Sequence, residues 1–169
     1  MGYDIYIGDG KMEPLEEDEG TSPHSRIVNG KVKYYDIVVK EVKLPDAPVF
    51  PNDDMTGNSN NRHPGYGGWS DFCERTGLYD LFFNEECGLM REHPGFQALH
   101  IEHATTIQSA LNDWKASHPD TTPGFEAFSW RGEEVPVIGY DHTLARLIWL
   151  NWWVQWAIKN CEHAGIYNF

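Results

Sequence analysis

The feature that most constrains this fold is a predicted helix near the C-terminus that has two apolar faces. At about 100° per residue, residues 141–163 separate into one polar stripe, one aliphatic stripe and one aromatic stripe. The aromatic stripe consists of four tryptophans: Trp149, Trp152, Trp153 and Trp156. A helix on a protein surface needs only one apolar stripe, so another element must cover the second one.

Three kinds of cover satisfy this requirement, and the sequence leaves all three open. The tryptophans can pack under an N-terminal sheet, because buried rings mostly belong to the core. They can instead form the contact of a homo-oligomer, since interfaces favour Trp and Arg. They can also form a platform on which a planar ligand stacks, with Arg146 beside them as a cation.

The N-terminal third has the pattern of an antiparallel sheet. Residues 3–7 read as a short strand, and an acidic run that includes residues 16–19 reads as a solvated loop. Residues 25–28 and 31–34 flank Asn29-Gly30, which supplies the positive φ angles of a type I′ turn. The sequence therefore predicts a hairpin whose second strand continues toward Leu44.

The rest of the chain has helical patterns separated by loops rich in Pro and Gly. Apolar residues recur at helical spacing after Trp69, and again over residues 97–117. Residues 135–138 read as an edge strand. Asp141 is a good N-cap for the tryptophan helix, and Gly165 is its predicted stop.

These patterns predict one α+β domain over residues 1–169, in which a small N-terminal antiparallel sheet with a hairpin packs on a helical C-terminal part. Residues 1–45 form the sheet, residues 46–68 form a long loop, and residues 69–169 are mainly helical.

Charge and cysteine usage narrow the classes of partner. A net charge of −13 argues against binding a nucleic-acid duplex, where Lys and Arg neutralise phosphates. The three cysteines are widely spaced and form no C-x-x-C motif, which indicates free thiols in a reducing compartment. The chain opens on a strand-like pattern instead of a signal peptide, and no apolar stretch is long enough to span a bilayer. We therefore expect a cytoplasmic protein.

Two segments repeat the same chemistry before a predicted helix. Each has an arginine, a His-Pro-Gly sequence and an aromatic residue. Cations, rings and the N–H groups at a helix start are what an anionic nucleotide requires. With Arg146 from the last helix, the predicted ligand-binding residues are Arg62, His63, Tyr66, Trp69, Arg91, His93, Phe96 and Arg146. The alternative is that His-Pro-Gly is only a good turn before a helix.

A metal site is a weaker alternative. His100 and His103 lie at i and i+3, where two imidazoles can converge on one ion, and His93 or His163 is the candidate third ligand. The spacing does not match H-E-x-x-H, so we expect neither a metal nor another cofactor.

The sequence also resembles small uncharacterised proteins encoded by bacteriophages. The similarity lies in residues 1–5, in residues 61–78 and in residues 144–147 with the tryptophans that follow. It implies expression in a bacterial cytoplasm, and a role against host defence is common among small accessory phage proteins.

The leading hypothesis is a non-enzymatic protein that sequesters a small anionic nucleotide-type ligand, such as a cyclic nucleotide or an ADP-ribose-type immune signal. The two alternatives are an acidic inhibitor that binds a host defence protein and a metal-dependent hydrolase.

Overall fold

A computed structural model describes residues 1–15, 24–50, 57–121 and 141–169. An antiparallel sheet curls into a half-barrel, and the two long helices pack against it. The strands are β1 (Ile5–Leu15), β2 (His24–Val28), β3 (Lys31–Val39), β4 (Asn61–Arg62), β5 (Gly95–Ala98) and β6 (Ala164–Asn168). Their order is β2-β3-β1-β6-β5, and β4 pairs with the start of β1. The α+β class predicted from the sequence is confirmed.

The part of the chain that the structure describes contains four helices. They are α1 (Tyr66–Thr76), α2 (Tyr79–Phe83), α3 (Ile101–Ser117) and α4 (His142–Asn160). The Asp141 side chain accepts a hydrogen bond of 2.9 Å from the Leu144 N–H, which confirms the predicted N-cap of α4. Within the described ranges, no helix has both the length and the apolar character needed to cross a membrane.

The predicted hairpin is confirmed. Strands β2 and β3 pair from Val28↔Lys31 outward around Asn29 and Gly30, whose φ angles are 53° and 75°. Both angles lie in the left-handed region that a type I′ turn requires. Strand β3 ends at Val39, earlier than the predicted approach to Leu44. The acidic run at residues 16–19 and the edge strand at residues 135–138 lie outside the described residues.

The C-terminal end differs from the prediction. Helix α4 ends at Asn160, and Gly165 lies inside β6 rather than at a helix stop. The Phe96 ring lies directly over Gly165, where a Cβ atom would collide with it. The glycine therefore permits a close approach of a ring to the sheet. Residues 97–98 likewise belong to β5, so the predicted helix begins later, at Ile101.

The tryptophan stripe is divided between the core and a partly open surface. Trp149 and Trp153 are fully buried, whereas Trp152 and Trp156 are half-buried. The polar stripe of α4 packs against α3, since Asn151 donates to the Gln108 side chain at 3.0 Å and Gln155 donates to the Ala104 carbonyl at 3.2 Å. Contacts within a single chain therefore bury two of the four tryptophans fully and the other two in part.

Asn60 joins the long loop to the sheet. It is fully buried, and its side-chain oxygen accepts from the Val42 N–H at 2.7 Å. Its side-chain nitrogen donates to the carbonyls of Ile7 at 2.9 Å and of Lys40 at 3.0 Å. Its backbone bonds to Ile7 and Val42 as well. One side chain thus satisfies three backbone groups from two separate segments, of which the bond to the Ile7 carbonyl is buried and the other two are partly buried.

We predict that Asn60→Ala lowers the free energy of unfolding by about 2–3 kcal/mol, because the buried Ile7 carbonyl and two partly buried backbone groups lose their partner. The exposed Asn112→Ala, in α3, is the control, and its effect should stay within about 0.5 kcal/mol. Urea denaturation measures both values. An equal, small effect of the two substitutions would contradict this role of Asn60.

Candidate functional site

The structure brings the two His-Pro-Gly segments into contact at the start of α1. The Tyr66 hydroxyl oxygen lies 3.3 Å from Nε2 of His93. The Tyr3 ring packs edge-on against both side chains, with centroid distances of 4.6 Å to Tyr66 and 5.0 Å to His93. Segments 27 positions apart in the sequence therefore share one surface.

Strand pairing explains this contact. Ile5 of β1 pairs with Arg62 of β4 on one side and with Asn168 of β6 on the other. The Tyr3 N–H donates to the Pro64 carbonyl at 2.9 Å, which places the start of α1 beside β1. On the other side, the Asn168 side chain holds the segment that carries His93.

Asn168 orients the His93 ring. It is fully buried, and its Oδ1 lies 2.7 Å from Nδ1 of His93. Its Nδ2 donates to the carbonyls of Glu92 at 3.0 Å and Gly95 at 3.4 Å. A buried amide with three partners holds the exposed imidazole in one orientation.

His63 lies at the same end of β1 and is exposed. Its Nδ1 contacts the Asp4 carboxylate, and its Nε2 lies 3.5 Å from the Asn61 side chain. The Asp4 backbone pairs with Phe169, next to Asn168. His63 therefore has a carboxylate partner already, which lowers its value as an anion ligand.

The first turn of α1 has a locally positive electrostatic potential. Gly65 provides no side-chain cap, and the first turn contains no acidic residue. The first N–H groups of a helix lack partners within the helix and carry its positive dipole end. Arg146 of α4 adds a guanidinium, whose Nη1 donates to the Gly68 carbonyl at 3.3 Å. An anion fits this position.

Arg62 and Trp69 lie inside the protein, away from this surface. Arg62 is only 4% exposed, and its guanidinium donates to the carbonyls of Gly57, Ser59 and Asn61. It also lies 4.8 Å from the centroid of the Trp149 ring. Trp69 is fully buried. The exposed positions expected for both side chains are not found, and neither belongs to the site.

Two other predicted residues lie at the margin. Arg91 is exposed, and its Nη1 donates to the Gly88 carbonyl at 3.2 Å. Phe96 is half-buried because its ring covers Gly10 and Gly165 on the sheet. Arg91 is free to reach a ligand in solvent, whereas Phe96 mainly covers the sheet.

The His100 and His103 pair caps a helix. His100 is the N-cap of α3, and Nδ1 of His103 accepts from the His100 N–H at 2.9 Å. Burial, followed by the neighbouring His100, lowers the pKa of His103, which favours the neutral ring that this bond needs. Among the described residues, no three His, Cys, Asp or Glu side chains group closely enough to hold a metal ion. The convergence of His93, His100 and His103 that a metal site requires is therefore not found.

Sequence reasoning missed Tyr3, Asp4 and Asn168. Tyr3 and Asp4 lie in a strand-like pattern, and Asn168 lies beyond the predicted end of the last helix, so no local motif marked them. Only the pairing of β1 with both β4 and β6 places them beside His63 and His93.

Comparisons with protein-family models, with curated proteins and with solved structures give no match. Function is therefore inferred from the geometry of the chain's own residues.

The different burial of Arg62 and Arg91 leads to a testable prediction. Arg62→Glu should lower the free energy of unfolding by about 3–5 kcal/mol, because it places an unpaired carboxylate against backbone carbonyls. Arg91→Glu should change it by about 0.5 kcal/mol or less, since the side chain is exposed. Urea denaturation measures the free energy of unfolding of both variants. Similar losses of stability in the two would contradict a buried position for the Arg62 side chain.

Proposed function

We propose that this protein binds a small anionic nucleotide-type ligand at the start of α1 and holds it without chemical turnover. The observation that carries the proposal is the contact between Tyr66 and His93, which unites two segments of matching chemistry on one surface. A ring, an imidazole and a helix N-terminus then lie together in a way that suits a base, a sugar and a phosphate.

Each part of the surface has its own role in this proposal. Tyr66 is 38% exposed and offers a ring face on which a base stacks. The N–H groups of the first turn of α1, together with Arg146, bind the phosphate. Arg91 adds a cation from solvent. The overall charge of −13 is compatible with this arrangement, because a small ligand responds to local charges at short range.

The resemblance to phage proteins suggests what the ligand does. A phage protein that binds cyclic nucleotides or ADP-ribose-type molecules tightly would lower their free concentration and so suppress a host immune signal. Tight binding without turnover is sufficient for such a sponge. The role requires no cofactor.

Calorimetry against cyclic dinucleotides, cyclic trinucleotides and cyclic ADP-ribose isomers tests the proposal. We expect one class to bind, and Tyr66→Ala to weaken that binding about tenfold or more through loss of stacking. Tyr79→Ala removes a ring in α2 that is 45% exposed, slightly more than Tyr66, and should leave the affinity unchanged. Failure of the whole panel to bind, or equal losses in the two variants, would count against the proposal.

A groove between α3 and α4 favours a second candidate function, the capture of another protein. Its volume is about 460 Å³, which accommodates several side chains. Two half-buried tryptophans form its floor and two lysines lie on its rim: Trp152, Trp156, Lys115 and Lys159. Among the residues that the structure describes, no acidic one lines it, although the chain has 26 acidic residues and only 13 basic ones. An apolar groove with a basic rim suits an acidic amphipathic helix of a target protein.

A designed acidic amphipathic peptide and a basic peptide with the same apolar positions test this groove. We expect only the acidic peptide to bind, and the double substitution Lys115→Glu with Lys159→Glu to weaken binding at least tenfold. The control reverses Lys31 and Lys33, which are exposed on the hairpin. Equal binding of both peptides, or equal effects of both double variants, would refute the candidate. Ultracentrifugation of the unliganded protein shows whether a second copy fills the groove instead.

A further inference from the structure

We infer that His93 recognises a hydrogen-bond donor of the ligand, such as a ribose hydroxyl or the amino group of a base, through an Nε2 atom that Asn168 keeps in the acceptor state. This inference rests on the proposed function and narrows it. The ligand would meet His93 with its nucleoside part, and its phosphate would lie elsewhere.

The amide orientation of Asn168 follows from its surroundings. Its Nδ2 faces two carbonyl oxygens, those of Glu92 at 3.0 Å and Gly95 at 3.4 Å. An amide nitrogen can donate two hydrogen bonds, whereas an amide oxygen in its place would face two acceptors. The reversed amide is therefore excluded by the hydrogen-bond network, which is the basis on which such orientations are assigned.

The orientation of the amide then determines where the proton of His93 lies. The Asn168 Oδ1 is 2.7 Å from Nδ1 of His93 and can only accept, so Nδ1 carries the hydrogen. A neutral imidazole has one N–H group, which leaves a lone pair on Nε2. The other tautomer, with its proton on Nε2, is costly. The buried Oδ1 of Asn168 would then face the lone pair of an unprotonated Nδ1 and would have no donor.

The lone pair on Nε2 faces the exposed side of the site. Its present neighbour is the Tyr66 hydroxyl at 3.3 Å, a long distance for an O–H donor. A ligand hydroxyl or amino group can donate to this lone pair in place of the Tyr66 hydroxyl or together with it. An unprotonated phosphate oxygen, such as that of a phosphodiester, cannot bond to it, because both atoms carry lone pairs.

The phosphate therefore belongs at the first turn of α1, near Arg146. A site that is built to accept a hydrogen bond discriminates strongly against ligands that lack the donor. Discrimination at His93 should thus depend on hydroxyl and amino groups of the ligand, and a dialkyl phosphodiester such as dimethyl phosphate, whose oxygens only accept, should not compete for this contact.

Long-range ¹H–¹⁵N correlation NMR of the full chain, with labelled histidine at neutral pH, reads the tautomer directly. We expect His93 to carry its proton on Nδ1 in the unliganded protein. An Nε2–H tautomer would overturn the inference, whether or not a nucleotide binds.

Calorimetry with the nucleotide that binds best, and with analogues lacking either the ribose hydroxyls or the amino group, tests recognition. We expect one analogue to bind about tenfold or more weakly to the natural protein, and His93→Leu to abolish that difference. Equal affinity of parent and analogues would overturn the inference and leave the proposed function intact. If no nucleotide binds at all, the proposed function fails and this inference fails with it.

Discussion

The structure depends on the buried amide of Asn60, which joins the end of the long loop to the middle of the sheet. Its side chain bonds to Ile7 in β1 and to the backbone after β3, at residues 40 and 42. These segments are far apart in the sequence, so their approach costs loop entropy that local structure cannot offset. Because these backbone groups share one partner, their approach is cooperative: loss of the Asn60 side chain removes a hydrogen bond from each of them.

The same segment orders the candidate site. Just after Asn60, Arg62 pairs with Ile5, and its guanidinium closes the loop by bonding to three carbonyls while it contacts the Trp149 ring. Trp149 in turn donates to the Ser59 carbonyl at 3.1 Å. The chain leaves this network at His63 and enters α1 at Tyr66, beside His93. A rigid core thus supports an exposed surface, which is the arrangement that precise binding requires.

Local signals in the sequence were sufficient for the elements whose formation is local. Asn29-Gly30 marked the hairpin, Asp141 marked the start of α4, and helical spacing marked α1, which ends at Thr76 and is capped by Gly77. Strands β5 and β6 escaped prediction because each is short and is stabilised mainly by its partner. Gly165 was a misleading signal, since a glycine serves both a helix end and a close approach of a ring.

For the candidate site, the repeated chemistry of the two His-Pro-Gly segments marked two segments that the structure brings into contact, but it did not mark the other residues around that contact. Tyr66 and His93 do lie together. Arg62 was misplaced because an arginine in a polar loop is usually exposed, and here the loop turns its carbonyls inward around the guanidinium. Asn168 could be found only from the three-dimensional arrangement, since its role depends on the distance to His93.

The most direct test of the central claim is native-state hydrogen exchange at the amides of Ile7, Val42 and Asn60. If the Asn60 network joins loop and sheet into one unit, these amides exchange only through global unfolding, with the same free energy as the α4 core. Alternatively, these amides could exchange through a local opening, at a clearly lower free energy than the amide of Leu150 or Trp153. That result would show that the loop unfolds independently of the sheet, and it would contradict the account.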